Sequence, residues 1–395
     1  MSKLFNRHFI VPKSAIAVTN NMYHLLRKSK NPIKLIHDSV QSSLKLLQSL
    51  PVRQSDLLQS LNQIRLYAEK NAALNVIEND ENWKALSHDL QIHTTNFTSK
   101  LLLQQYSPAT VDTKYTQSIR EIFWHAHSSH LSIETLLSIG DSSVNANHDI
   151  SQISLEFAIR NIMESANALS IEKYGVVPPI VLDLVVMPCE NDDDDNDNDT
   201  TSYQSMTVVE LRNALGLDEQ TSKAKSAKGT SKEYFKKSKL IEMTEESAMK
   251  NVSPKFEDIC VNIQEIYYIE YCMVELIKNS FGAMIEKYGA LEVEDEKPIK
   301  LIMKAHPQNG FAGLTLLDNG IGMSQYDVEH SCEPLFTSAK EEQDDPWRYS
   351  RTFGARFAGA GLGLFKTHCY MDFLGAKNLI IMSDNNIGTM IDVKF

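Results

Sequence analysis

The sequence predicts a helical domain followed by a mixed α/β domain. From about 32 to 176, apolar residues recur at three- and four-residue spacing almost throughout, the pattern of helices lying on a shared core. From Ile299 onward, short alternating runs bounded by Gly, Asn and Asp read as strands. Between the two lies one long helical pattern, about 265–287. It carries Val274, Ile277, Phe281 and Met284 on one face, and Glu275, Lys278, Asn279 and Gly282 on another.

At 395 residues the chain is long enough for two domains with a sizeable core. Its net charge of −12 argues against nucleic acid as a partner through overall charge. The five cysteines are odd in number and show no C-x-x-C spacing, which reads as reduced thiols without a zinc site. No run approaches the length of apolar sequence that spans a bilayer, so no membrane span is expected. Lys3, Arg7, Lys13, Arg27, Lys28 and Lys30 all precede the first acidic residue, Asp38. A basic, acid-free stretch over 1–31 with Ser14, Ala15 and Ala17 fits a mitochondrial targeting leader and hence the matrix. A basic first helix belonging to the fold is the other reading.

The helical domain is expected over 32–176, with helices at 33–48, 55–70, 81–105, 114–138 and 151–174. Turn signals at Leu50-Pro51, Ser107-Pro108 and Gly140-Asp141 separate several of them, and the arrangement makes a bundle resembling four-helix bundles. Ser87-His88-Asp89-Leu90 superficially resembles the acceptor motif of two-component histidine kinases, but the prolines and basic residue expected after it are missing. His88 therefore reads as a surface histidine, and His125, His127 and His130 as structural ones.

The second domain is expected over 177–395. Gly175 ends the last bundle helix, and Pro178-Pro179 precedes an apolar strand at 180–187. Residues 190–252 open with a run of Asp and Asn and continue rich in Lys and Ser. They are expected to form a charged, disordered insertion, with a short helix at 206–217. Order is expected to resume at 256–263, before the long helix. Strands follow at 299–305 and 311–317, then an aperiodic stretch at 324–358 read as a lid, a helix ending near 373, and strands at 378–383 and 389–395.

Three signals stand in a fixed order: Glu275-x-x-x-Asn279 on a helix, Asp318-Asn319-Gly320-Ile321-Gly322-Met323 after a strand, and Gly359-Ala360-Gly361-Leu362-Gly363-Leu364 before a helix. Together they resemble the ATP-binding domain shared by sensor histidine kinases, type II topoisomerases, mismatch-repair ATPases and mitochondrial 2-oxo-acid dehydrogenase kinases. The resemblance implies a histidine-kinase-like ATPase α/β sandwich, a mixed sheet packed on helices, with ATP and Mg²⁺ as cofactors.

On that resemblance Asp318 accepts from the exocyclic amine of adenine. Gly320 and Gly322 let the backbone approach the base, Met323 is a further nucleotide contact, and Thr389 adds a hydroxyl on that side. Gly359, Ala360, Gly361, Leu362, Gly363 and Leu364 form the phosphate loop and the helix start behind it. Asn279 supplies a neutral oxygen to Mg²⁺, Lys278 offsets phosphate charge, and Glu275 is the base toward the acceptor hydroxyl.

Within this group the helical half points to one family. Leu50-Pro51-Val52-Arg53, Glu172-Lys173-Tyr174-Gly175 and Glu275-Leu276-Ile277-Lys278-Asn279 resemble the pyruvate dehydrogenase kinase and branched-chain 2-oxo-acid dehydrogenase kinase family. Phe336-Thr337-Ser338-Ala339 loosely matches its lid, which adds Thr337 and Ser338 to the nucleotide contacts. The resemblance covers roughly 33–188 and 256–395. It implies a protein serine kinase acting on the E1 subunit of a mitochondrial 2-oxo-acid dehydrogenase complex, pyruvate before branched-chain. It also implies recruitment by the E2 lipoyl domain, and a homodimer.

The chain departs from the family pattern in places. Tyr271 stands where a histidine often precedes the base, Gly282 where an arginine is common, and His130 and Glu134 where the helix is usually basic; the sequence ends at Phe395 without the family's extended tail. A histidine-kinase-type phosphotransferase and a catalytically silent ATP-binding regulator are the alternatives.

Overall fold

The structure, a computed structural model, describes residues 9–10, 21–52, 54–72, 81–103, 113–144, 152–186, 260–296, 298–306, 310–337, 361–376 and 378–395. The expected insertion at 190–252 and its short helix lie outside these residues, as do Ser338, Gly359, Ala360 and the later part of the expected lid.

The helical half is built from α1 (Met22–Lys28), α2 (Pro32–Ser49), α3 (Ser55–Ala72), α4 (Glu81–Leu103) and α5 (Thr113–Val144). Helix α2 starts where the sequence provides both devices for starting a helix, Pro32 at its first position and Asn31 accepting from the Lys34 amide. It packs on α3 and α5, while α4 packs on α3 and α5. Ile36, Leu47, Leu61, Ile64, Leu90 and Ile122 are buried between them. A fully buried aliphatic side chain contributes about 1.5–3 kcal/mol, so this interior holds the helices without special devices.

The stretch 1–31 contains two ordered pieces. Phe9–Ile10 forms strand β1, and α1 buries Met22, Tyr23 and Leu26. Tyr23 meets Tyr268 and Phe373 edge-on, and its hydroxyl, pushed up to about 12 by burial, accepts from Arg27. This part of the expected leader is built into the fold.

Helix α6 (Leu155–Tyr174) ends at Gly175, whose φ of 74° supplies the left-handed cap. Its main partner is the long helix α7 (Ile263–Tyr288) rather than the bundle in which it was expected. Periodicity reveals that α6 has a buried stripe, Leu155, Ile159, Ile162 and Ala166, but not what that stripe meets. A two-stranded ribbon of β2 (Gln152–Ser154) and β4 (Cys260–Asn262) ties the beginnings of α6 and α7 together.

The remaining strands are β3 (Ile180–Val186), β5 (Ile299–His306), β6 (Gly310–Asp318), β7 (Asn378–Asp384) and β8 (Gly388–Lys394). With β1 they form a six-stranded sheet in the order β1-β7-β8-β6-β5-β3. The β3–β5 pair is parallel and the others are antiparallel. Alternation assigns the two faces: Leu301, Met303, Leu314, Leu316, Ile381, Ile391 and Val393 join the main core. Ile302, Leu317, Met382 and Met390 form a separate cluster on the other face, beside a Lys304–Asp392 ion pair of 2.5 Å.

The stretch expected to be aperiodic from 324 contains helix α8 (Gln325–His330), started by a capping box between Ser324 and Asp327. Six residues are too few for a period to be legible, so only the cap could have signalled it. Helix α9 (Gly363–Leu374) precedes β7 and packs on α7. The fold is thus an N-terminal helical region followed by a sheet with helices on it. Among the described residues, no helix is long and apolar enough to cross a membrane.

Candidate functional site

Helix α7 is the spine of the site. Phe281 and Met284 on its inner face are almost fully buried, which fixes its rotation. Glu275 and Lys278 are then mostly buried on the other face, and Asn279 is exposed one turn beyond Glu275.

At one end of this face α7 meets the start of α9. A Cβ built on Gly363 would collide with Oε2 of Glu275, so any larger residue there would push this carboxylate out of place. The same Oε2 accepts from Lys278 Nζ at 2.6 Å. The backbone before α9 is held as well: Leu335 N donates to Gly361 O at 2.8 Å, which brings the segment leading to exposed Thr337 against the glycine loop. Leu362 is buried and Leu364 half-buried.

At the other end, α7 meets the turn that follows β6. Ser280 Oγ donates to Oδ2 of Asp318 at 2.8 Å, while the amides of Gly320 and Thr389 donate to Oδ1 at 2.9 and 3.1 Å. The Asp318 carboxylate, buried at the strand end, is therefore fixed as an acceptor. Ile321 N donates to Ala283 O on α7 at 3.1 Å, which seats Gly320 against the helix. Gly322 has φ of 66°, and a Cβ there would run into Asp384 O, so the turn admits only glycine. Ser383 Oγ accepts from Met323 N at 2.8 Å, lies 2.8 Å from Thr389 Oγ1, and joins the two sides of this corner.

The structure thus gathers Asp318, Gly320, Gly322, Met323 and Thr389 at one end of α7, and Glu275, Lys278, Gly361, Leu362 and Gly363 at the other. From Glu275 to Ala283 is eight residues, about 12 Å along the helix axis, a span comparable with an extended nucleoside triphosphate.

The residues fit ATP and Mg²⁺. The close approaches at Gly363 and Gly322 keep side chains out of both ends, and Asn279 presents a neutral oxygen on the open face between them. Among the described residues no group of three or more His, Cys, Asp or Glu gathers as a protein-only cation site. One amide oxygen suits Mg²⁺, which takes its remaining ligands from phosphates and water.

Three contributors were not read from the sequence. Ser280 sits next to Asn279, but its aim at Asp318 depends on tertiary packing. Lys287 Nζ donates to the carbonyls of Asn319, Gly320 and Asn386 at 2.6, 3.2 and 2.9 Å, clamping the turn after β6 to the β7–β8 turn. Neither it nor Ser383 carries a local signal.

The two departures on α7 have structural accounts. Tyr271 packs edge-on against Tyr370, ring centroids 4.9 Å apart, and burial raises its hydroxyl far above the ordinary range, so it stays neutral. A Cβ on Gly282 would stand 3.1 Å from the Tyr174 hydroxyl, so a larger side chain would crowd the end of α6. Elsewhere, His88 is exposed on α4. His125 bonds to Ser43, and His130 bonds to Ser87, which also donates to Glu134. The described thiols of Cys272, Cys332 and Cys369 are free and buried.

Compared with known proteins, the chain matches no family model and no curated protein.

Proposed function

We propose that this chain is an ATP-dependent protein serine kinase of the 2-oxo-acid dehydrogenase kinase type, with a histidine-kinase-like ATPase domain. The observation that carries the reading is the Glu275 carboxylate packed over Gly363, the first residue of the helix behind the glycine loop. A carboxylate at the phosphate end of the site is where a base toward an incoming hydroxyl is needed. Asp318 at the opposite end holds the adenine amine, and Thr389 lies beside it. The backbone of Gly361 to Gly363 and the start of α9 hold phosphate oxygens. Asn279 would hold Mg²⁺, which when bound offsets phosphate charge. Lys278 pairs with Glu275 at 2.6 Å and so orients its carboxylate.

The acceptor is a serine of the E1 subunit of a mitochondrial 2-oxo-acid dehydrogenase complex, pyruvate dehydrogenase first. The reading carries with it a matrix location, recruitment by the E2 lipoyl domain and a homodimer. The test is transfer from radiolabelled ATP to purified E1. Serine label, lost on Glu275→Gln while nucleotide binding persists, supports the reading; label on histidine, or none on E1 despite bound ATP, overturns it. A silent ATP-binding regulator is the second reading, favoured by the Glu275–Lys278 pair of 2.6 Å, which occupies the base. Bound nucleotide without turnover, indifferent to Glu275→Gln, would select it.

A further inference from the structure

Between the helical half and α9 lies a cavity of about 60 Å³, lined among others by Thr98 and Ser99 of α4, Phe123 and His127 of α5, and Phe365 and Lys366 of α9. One water needs roughly 10–15 Å³ by this measure, so the space suits a group of a few heavy atoms. Lys366 stands one turn into α9 after Gly363, and Glu275 is the leading charge that favours its protonated form. Lys366 is half-buried beside this cavity, and burial is the main cause that lowers its pKa. Among the described residues it has no hydrogen bond and no ion pair.

Opposite it, Nε2 of His127 is buried without a partner, and burial holds that imidazole neutral. A cavity with an orphaned, buried imidazole nitrogen on one wall and a half-buried ammonium on the other is completed by a polar group, and its polar lining is cationic or hydrogen-bonding. The complement is a small oxyanion. Lys278 is not available for that task because Glu275 holds it at 2.6 Å.

We propose that Lys366 is a catalytic residue that meets the transferring phosphoryl group from the acceptor side, a role that rests on the kinase reading above. In the transfer, the bond from the γ-phosphorus to the β–γ bridging oxygen breaks. A new P–O bond forms to the acceptor hydroxyl oxygen, the hydroxyl proton passes to Glu275, and ADP leaves. Lys366 balances negative charge on the phosphoryl oxygens during this exchange, between the aromatic walls of Phe123 and Phe365 that keep the local dielectric low. Lys366 then contributes to the transition state and little to the binding of ADP.

The test uses the full chain with Lys366→Met and Lys366→Arg, measuring calorimetric ADP affinity, retention of ADP with aluminium fluoride, E1 phosphorylation and melting temperature. The expected result for Lys366→Met is ADP affinity near wild type, kcat lower by about 100-fold or more, and loss of the aluminium fluoride complex. Its melting temperature is expected to stay near wild type, since the methionine keeps most of the aliphatic stem of a half-buried side chain. Lys366→Arg is expected to recover part of kcat. Unchanged kcat in a folded Lys366→Met protein, or ADP affinity falling in step with kcat, overturns the proposal while leaving the kinase reading intact. Failure of Lys366→Met to fold, with Lys366→Arg folded and fully active, overturns it in favour of a structural role. A wild-type protein that binds no ADP overturns both.

Discussion

The Glu275 carboxylate occupies the place where a side chain on Gly363 would begin: a Cβ there would stand 3.3 Å from Cδ of Glu275 and collide with Oε2. Two segments 88 positions apart in the sequence therefore depend on each other at a single point. The glycine is needed less for its backbone freedom, since Gly363 is the first residue of a helix, than for the room it leaves to a carboxylate.

Gly363→Ala tests this. The obstructed atom is the far end of a flexible side chain, so Glu275 can swing aside and the fold survives. The stability change is expected to stay within about 1 kcal/mol, alanine being the better helix former. Phosphoryl transfer is expected to fall by at least about 10-fold, because a general base out of place loses much of its contribution. Chemical denaturation and E1 phosphorylation, run on the same preparation, check both halves. Wild-type transfer would refute the assigned role of the contact.

Asp318→Asn addresses the other end. The Asp318 carboxylate receives the Ser280 hydroxyl and the Gly320 and Thr389 amides. An asparagine replaces one acceptor oxygen by an NH₂ group that faces donors. The expected cost is about 1–3 kcal/mol of stability, with weaker nucleotide binding. Urea unfolding and titration with a fluorescent ATP analogue measure the two effects; a variant as stable and as tight as wild type would contradict the socket.

Much of this architecture could be read in advance because its causes are local. Each helix from α2 to α6 follows an apolar stripe, and β5 to β8 follow alternation bounded by turn residues. Asp318, Gly320 and Gly322 were legible because a strand followed by a turn that needs glycine leaves a mark in sequence. What escaped depends on which surfaces meet. The partner of α6, the aim of Ser280 and the bridge through Ser383 are products of packing, to which no spacing rule refers. Lys366 belongs with them, because its place opposite α4 and α5 is likewise set by packing.

Lys287 is the clearest product of tertiary structure. Its ammonium joins three carbonyls, those of Asn319, Gly320 and Asn386, and so fixes the turn after β6 against the turn between β7 and β8. Lys287→Met keeps the aliphatic stem but leaves these carbonyls to water. Expected is a loss of about 1–3 kcal/mol and faster amide exchange at Gly320 and Ile321, with α2 to α5 unaffected. Hydrogen exchange by mass spectrometry is the measurement; protection unchanged around Gly320 would remove Lys287 from the account.

His125 gives the fold a predictable response to acid. It is buried on α5 with Nδ1 2.6 Å from Ser43 Oγ, and burial lowers its pKa from 6.5 to about 4. Between these values the unfolded chain binds a proton that the folded chain refuses, so stability is fully present above about 6.5 and falls as pH drops toward 4. Glu121, whose Oε2 lies 3.9 Å from His125 Nε2, is itself raised by burial and contributes the opposite slope. The wild-type curve alone therefore mixes the two groups, and the difference from a His125→Gln variant isolates the histidine. Relative to its value at neutral pH, that difference should shift by about 2 kcal/mol in favour of the variant at pH 5, as 1.36 kcal/mol per pKa unit requires. Denaturant unfolding from pH 7 to pH 4.5 measures it, and parallel curves for the two proteins would mean that His125 titrates alike in the folded and the unfolded chain.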